Sequence, residues 1–150
     1  MPAMHNHWRD TDAATLDPID QLVYQARLIG HEPALALWDG SNTSLKIDET
    51  DFAGRPVRVL RILRAGGDLR AAQRSDCTSV RLEDLLLLMA REGMSDVALS
   101  DFLAHARLTH DLGLPPIETL LHAVLPQAAV LHTHAEVVSM LGSTPAGDQP

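Results

Sequence analysis

The sequence predicts a single α/β domain, and three observations carry that reading. Segments of helical period alternate with short segments of strand period, the composition suits one packed core, and nothing divides the chain in two. With 150 residues, 45% of them hydrophobic and 21% charged, there is enough apolar side chain for one core and too little length for two. No internal repeat and no linker is visible.

Residues 1–16 are polar and aperiodic and are expected to form a flexible tail in which His5 and His7 are solvated. The domain proper is expected over 17–142. Asp17-Pro18 reads as an N-cap followed by proline at the first helical position, and Ile19, Leu22, Val23, Ala26 and Ile29 then recur at helical spacing up to Gly30. After an apolar stretch from Ala34 to Trp38, Gly40-Ser41-Asn42 reads as a turn. Thr43 to Asp48 alternates as a strand does, Asp51-Phe52-Ala53-Gly54 breaks the chain, and Pro56 to Leu63 is a second strand. Two strands joined by a glycine-containing loop predict an antiparallel hairpin, which Gly66-Gly67-Asp68 ends.

Leu82, Leu85, Leu86 and Met89, widened by Leu87 and Leu88, predict an amphipathic helix between Ser79 and Gly93. Cys77 would lie near its start as an unreactive thiol. Ser95-Asp96 opens a further helix to about Leu108, and Leu112-Gly113-Leu114-Pro115-Pro116 sets a turn. Ile117 to Leu125 is a short helix closed by Pro126, Ala128 to His134 a strand, and Ala135 to Leu141 the beginning of another helix. Residues 143–150 are small and polar and read as a frayed end.

The charge balance excludes some functions. Twelve Lys and Arg against 20 Asp and Glu give a net charge of −8, with no basic run, so neither nucleic acid nor an anionic membrane surface is an expected partner. One cysteine cannot form an internal disulfide, and the first residues lack the pattern of a signal peptide, which together predict a cytoplasmic protein. The longest aliphatic run, Leu85 to Met89, is far shorter than the roughly 20 residues needed to cross a bilayer.

The candidate chemistry begins at His132-Thr133-His134. Residues i and i+2 of a strand point to one face, so two imidazoles so spaced can reach one divalent ion. Catalytic zinc usually takes a third protein ligand, for which His105, His110 and His122 are available. His122 also shares a helical face with Glu118 through i, i+4 spacing. Glu118 lies in the first turn of its helix, where a carboxylate is favoured by the helix dipole and is also placed to move a proton. Gly40-Ser41-Asn42-Thr43-Ser44 offers backbone amides and hydroxyls in a tight turn, as a plain turn or as a phosphate cradle.

In order, Trp38-Asp39-Gly40-Ser41-Asn42-Thr43-Ser44-Leu45-Lys46, Gly66-Gly67-Asp68-Leu69, Pro116-Ile117-Glu118-Thr119-Leu120-Leu121-His122 and His132-Thr133-His134 resemble the class II aldolase/adducin family. The nearest likeness is to the aldolase half of bifunctional rhamnulose-1-phosphate aldolase/alcohol dehydrogenase proteins. The resemblance spans roughly residues 19–142. It implies a three-layer α/β/α fold on a mixed, largely antiparallel sheet, with the family's C-terminal part absent from this chain. It also implies zinc-dependent cleavage of a deoxyketose 1-phosphate to dihydroxyacetone phosphate and an aldehyde.

By the same resemblance His132 and His134 are metal ligands, Glu118 the acid/base, and Gly40, Asn42 and Thr43 the phosphate-binding residues, in a protein expected to form a homo-oligomer at full length. Three departures stand out. The family's third histidine lies beyond Pro150, Pro116 stands where a phosphate-contacting serine is usual, and Leu63-Arg64-Ala65 replaces Lys-Gly-Ser, leaving Arg64 as the available cation. The family also contains adducin-like non-catalytic oligomerisation modules and sugar-phosphate epimerases or dehydratases, which are the competing readings.

Overall fold

The computed structural model describes residues 5–36, 40–110, 112–135, 138, 140 and 143. Within the stretch expected to be a tail, α1 (Asp10–Ala13) makes a single turn that buries Ala13, and the Trp8 ring lies 5.2 Å from that of Tyr24. Helix α2 (Pro18–Gly30) starts where the sequence places it: one Asp17 carboxylate oxygen accepts the backbone N–H groups of Ile19 and Asp20, both at 2.9 Å, and Pro18 occupies the first turn. Its stripe of Leu22, Val23, Ala26 and Gly30 is buried. Gly30 is required there because a Cβ would stand 2.5 Å from the backbone nitrogen of Arg70, in the 3-10 turn Leu69–Ala71 packed across the helix end.

The hairpin is present as expected. β1 (Asn42–Thr50) and β2 (Pro56–Leu63) pair antiparallel from Ser44 opposite Ile62 to Thr50 opposite Pro56. Their register is held at the loop by Asp51, whose carboxylate accepts from the backbone N–H groups of Ala53 and Arg55 and from the Arg55 guanidinium.

The sequence reading fails at the next element. Cys77–Arg81 is not the approach to a helix but strand β3, antiparallel to β2 from Val59 opposite Arg81 to Leu63 opposite Cys77. The helix that follows, α3 (Leu82–Leu87), is short and runs into the 3-10 turn Leu88–Ala90. Thr78 and Val80 alternate with Cys77 and Ser79 in a pattern that suits a pleated sheet, and the leucines beyond them masked that signal. Of those leucines Leu82, Leu85 and Leu88 are buried, whereas Leu87 is 72% and Met89 60% exposed.

Ser95 caps α4 (Asp96–His105) by accepting the N–H of Ala98. The chain then runs along the outer edge of β3, where Arg81 N–H donates to Ala106 C=O and Leu108 N–H to Ser79 C=O, so this edge is not left open. Helix α5 (Thr119–Val124) and strand β4 (Ala129–His132) follow, β4 pairing antiparallel with β1 on the side away from β2. The sheet order is β3-β2-β1-β4, antiparallel at every described pairing.

Alternation along the strands sends side chains into two separate cores. Leu60, Ile62 and Val80 pack with Leu85, Leu103 and Ala123 of α3, α4 and α5. Leu63 and Cys77 pack on the other face with Leu22, Val23 and Ala26 of α2, joined by Leu45. This is a three-layer α/β/α arrangement. The helix expected over Ala135–Leu141 falls largely outside the described residues, as do Trp38 and Asp39. Among the described residues no helix is long and apolar enough to cross a membrane.

Candidate functional site

The site residues gather where the start of β1, the end of β4 and the start of α5 meet. Asn42 is the cross-strand partner of His132, and antiparallel partners present their side chains to the same face. The strand β4 ends at His132, so His134 lies just beyond it rather than within it. Its position is fixed instead by a bond from its backbone N–H to Ser41 Oγ (3.2 Å) and by its ring packing on Gly40. Gly40 has φ +86°, and a Cβ there would stand 2.5 Å from the His134 ring. Only glycine satisfies both the backbone conformation and the approach of the ring.

The two imidazoles expected to act together do meet: their ring centres are 4.9 Å apart, and His132 Nε2 and His134 Nε2 are 3.1 Å apart. Two nitrogens about 2.1 Å from one tetrahedral zinc stand roughly 3.4 Å apart, so this spacing is close to that of two ligands of one ion. Among the described residues no group of three or more His, Cys, Asp and Glu side chains is placed to hold a metal. His105 is exposed on α4 with Nδ1 against Asp101 C=O, and His110 is exposed beyond it.

Glu118, Gly40 and Asn42 line one polar cavity of about 210 Å³, together with Arg64, Gly66 and Gly67. Glu118 is half-buried immediately before α5, and its C=O accepts the His122 N–H. The Asn42 side chain is tethered at both ends: Oδ1 accepts from Thr43 N–H (2.8 Å) and Nδ2 donates to Leu63 C=O (3.3 Å). The second Nδ2 hydrogen remains a donor. Arg64 enters from the far wall with its Nε on Asp76 (2.8 Å).

Thr43 stands apart from this cavity. One residue on from Asn42, it points to the other face of the sheet, where its hydroxyl donates to Gln25 of α2 (3.4 Å). Its backbone N–H is taken by Asn42, so Thr43 fixes Asn42 rather than lining the cavity.

Sequence reading also missed the burial of His122. Placed by its spacing only on the helical face of Glu118, it is 0% exposed, with Nδ1 2.7 Å from Ser44 Oγ and its ring centre 5.9 Å from that of His132. Burial, followed by the neighbouring His132 and Lys46, lowers its pKa to about 4, so it is neutral at physiological pH. Lys46 is also buried and donates to Leu125 C=O at the end of α5, and burial pushes its pKa below the usual lysine range. A signal for Ser44 was present: it is two residues from Asn42 on an alternating strand and therefore shares its face.

No family model matches the chain. The uncharacterized oxidoreductase YuxG of Bacillus subtilis (strain 168) is 34% identical over 148 residues, which is 97% of this chain and 22% of that protein. The chain therefore spans about a fifth of the length of that relative. The solved structure of the N-terminal class II aldolase domain of a conserved protein from Thermoplasma acidophilum is 38% identical and superposes with a TM-score of 0.88, over 99% of this chain and 67% of that one. With this identity and coverage, the chain belongs to the class II aldolase domain family.

Proposed function

We propose that this chain is the aldolase domain of a cytoplasmic enzyme that cleaves a deoxyketose 1-phosphate, of the rhamnulose 1-phosphate type, to dihydroxyacetone phosphate and an aldehyde. The observation that carries the reading is convergence. A half-buried carboxylate, Glu118, and a tethered amide donor, Asn42, line one polar cavity, and the two-imidazole pair abuts it where the His134 ring packs on Gly40, so that three separate stretches of sequence meet there.

In this reading His132 and His134 hold a zinc ion whose third ligand lies outside the described residues. When bound, the metal supplies Lewis-acid polarisation of the ketose carbonyl. The phosphate lies along Gly40 and Asn42, with the remaining Asn42 amide hydrogen donating to it and Arg64 offsetting its charge in place of the lysine other family members use. Thr43 contributes by holding the Asn42 amide in place.

Glu118 takes the proton of the C4 hydroxyl as the bond between C3 and C4 breaks, the C4 oxygen forming the aldehyde carbonyl and the C3–C4 electron pair staying on the phosphate-bearing fragment. Glu118, across the cavity from Asn42, returns a proton to C3. The full-length protein is proposed to be a homo-oligomer.

The test is zinc content together with release of dihydroxyacetone phosphate from L-rhamnulose 1-phosphate by the full-length protein, followed by a coupled reductase. The reading expects one zinc per chain and a cleavage activity that chelation abolishes. A protein that binds zinc no better than its His132→Ala variant and releases no triose phosphate refutes it.

A further inference from the structure

Among the described residues, buried side-chain atoms without a hydrogen-bond partner are Thr78 Oγ1, His122 Nε2 and His132 Nδ1, and the last two belong to neighbouring rings. Leaving a buried polar atom unpaired is unfavourable, so two of them on neighbouring rings call for an account. The rings lie 5.9 Å apart with planes tilted by 36°. Each is engaged at its other nitrogen, His122 Nδ1 with Ser44 Oγ at 2.7 Å and His132 Nε2 with His134 Nε2 at 3.1 Å. Ser44, His122, His132 and His134 thus form a row of polar groups running from β1 through α5 to the end of β4.

A neutral imidazole has one donor and one acceptor nitrogen, so a row of such rings has only two consistent proton orders. In one, the Ser44 hydroxyl donates to His122 Nδ1, His122 carries its proton on Nε2, His132 Nδ1 is an acceptor, and His132 carries its proton on Nε2, where it donates to His134. In the other, His122 Nδ1–H donates to Ser44, His122 Nε2 is an acceptor for the proton that His132 carries on Nδ1, joined to it through one water, and His132 Nε2 is left with a lone pair. Only the second order lets His132 ligate an ion through Nε2, the nitrogen that faces His134. Metal-ligating histidines characteristically have their other ring N–H accepted by a neighbour, and mutation of that neighbour costs about 10–100-fold in metal affinity.

We infer that His122, held by Ser44, is the positioning residue that fixes the tautomer of His132 and so makes the His132–His134 pair competent to take a metal ion. This inference rests on the metal-site reading proposed above. It assigns a task to a buried histidine that is not itself part of the cavity lining.

The experiment uses this chain labelled with ¹⁵N at its imidazoles and follows ring nitrogen shifts without metal and during zinc titration, for the wild type and for His122→Phe, His122→Gln and Ser44→Ala. In the zinc-loaded wild type, His132 is expected to be protonated at Nδ1. His122→Phe removes the acceptor, and the His132 tautomer is expected to shift towards Nε2 protonation in the metal-free chain, with zinc affinity falling about 10–100-fold. His122→Gln places an amide oxygen near the position of Nε2 and is expected to restore affinity to within about 3-fold of wild type, which mere filling of space would not do.

An unchanged His132 tautomer together with unchanged zinc affinity in His122→Phe overturns the inference. If His122→Phe does not fold, unchanged values for Ser44→Ala with no advantage of His122→Gln over His122→Leu overturn it equally. Should wild type and His132→Ala bind zinc equally poorly, the metal reading fails. The tautomer comparison in the metal-free chain still decides whether His122 governs His132.

Discussion

At the hairpin end of β1, Asp51 is buried and fully satisfied by its own loop. The backbone N–H groups of Ala53 and Arg55 and the Arg55 guanidinium all donate to it, and these bonds, that of the Arg55 backbone foremost, hold its carboxyl below the usual aspartate range. At the other end of the same strand, Asn42, Ser44 and Lys46 are also buried, but each reaches a partner in a distant stretch, and among the described residues one nitrogen each of the His122 and His132 rings has no partner. The first end uses buried polarity to close a turn. The second concentrates it where the packing alone gains nothing, and such unsatisfied polar groups are characteristic of sites selected for chemistry.

The largest effects should therefore come from changes at the second end. Glu118→Gln in the full-length protein is expected to lower the cleavage rate by about 10²–10⁴-fold with little change in KM, because it removes proton transfer and leaves the cavity shape intact. Steady-state kinetics on L-rhamnulose 1-phosphate reads this, and a rate within 5-fold of wild type would remove Glu118 from the chemistry.

Two glycines sharpen the contrast further. Gly54 in the hairpin loop has φ +77° with open space around its Cβ position, so Gly54→Ala should cost only the strain of a left-handed residue, about 1 kcal/mol, and leave the site alone. Gly40→Ala carries the same strain at φ +86° and also drives a methyl group into the His134 ring, so zinc affinity and cleavage should both fall about 100-fold. Parallel denaturant titrations and zinc competition assays separate the two. Equal zinc affinity in both variants would mean that His134 is not held where the geometry puts it.

Much of this layout was legible in the sequence, for identifiable reasons. Helix α2 and the hairpin could be read because their punctuation is local: Asp17-Pro18 and Gly30 bound one, Asp51 to Gly54 turns the other. The meeting of the His132 and His134 rings could be read because i, i+2 spacing survives even though His134 lies past the strand end. Strand β3 could not be read, because five residues of strand are followed at once by a leucine run that imposes its own period.

The burial of His122 was hidden for a different reason. On α5 the buried face is Thr119, His122 and Ala123, while Leu121 is 50% and Val124 38% exposed, so the rule that apolar residues point inward selects the wrong side. The helix is turned this way because its neighbour is the polar face of β1, Ser44 and Lys46, which needs polar partners.

That buried histidine gives the molecule a pH dependence. In the unfolded chain its pKa is about 6.5, whereas in the fold it is lowered to about 4. Between these values the unfolded state binds a proton that the folded state refuses, so stability is fully present above about pH 6.5 and is lost as pH falls towards 4. The loss is on the order of 3 kcal/mol if His122 acts alone. Urea midpoints at pH 7, 5.5 and 4.5 should decline in wild type and decline less steeply in His122→Gln. Parallel declines would assign the effect to the carboxylates instead.

The smallest expected effect concerns the opposite core. Cys77 is 0% exposed in β3, packed with the α2 side chains, and burial pushes its thiol up to about 11. Thiolate is the reactive form, and at pH 8 a group with that pKa is about 0.1% ionised. Native protein should therefore consume almost no Ellman's reagent over an hour at pH 8, while the chain in 6 M guanidinium reacts at one thiol per molecule. Cys77→Ser would place a hydroxyl where a small apolar group now packs and lower stability by about 1–2 kcal/mol, with cleavage activity unchanged because the sheet separates this core from the histidines. Rapid labelling of the native thiol would show that β3 opens locally, and the α2 face of the sheet would then be the softer of the two.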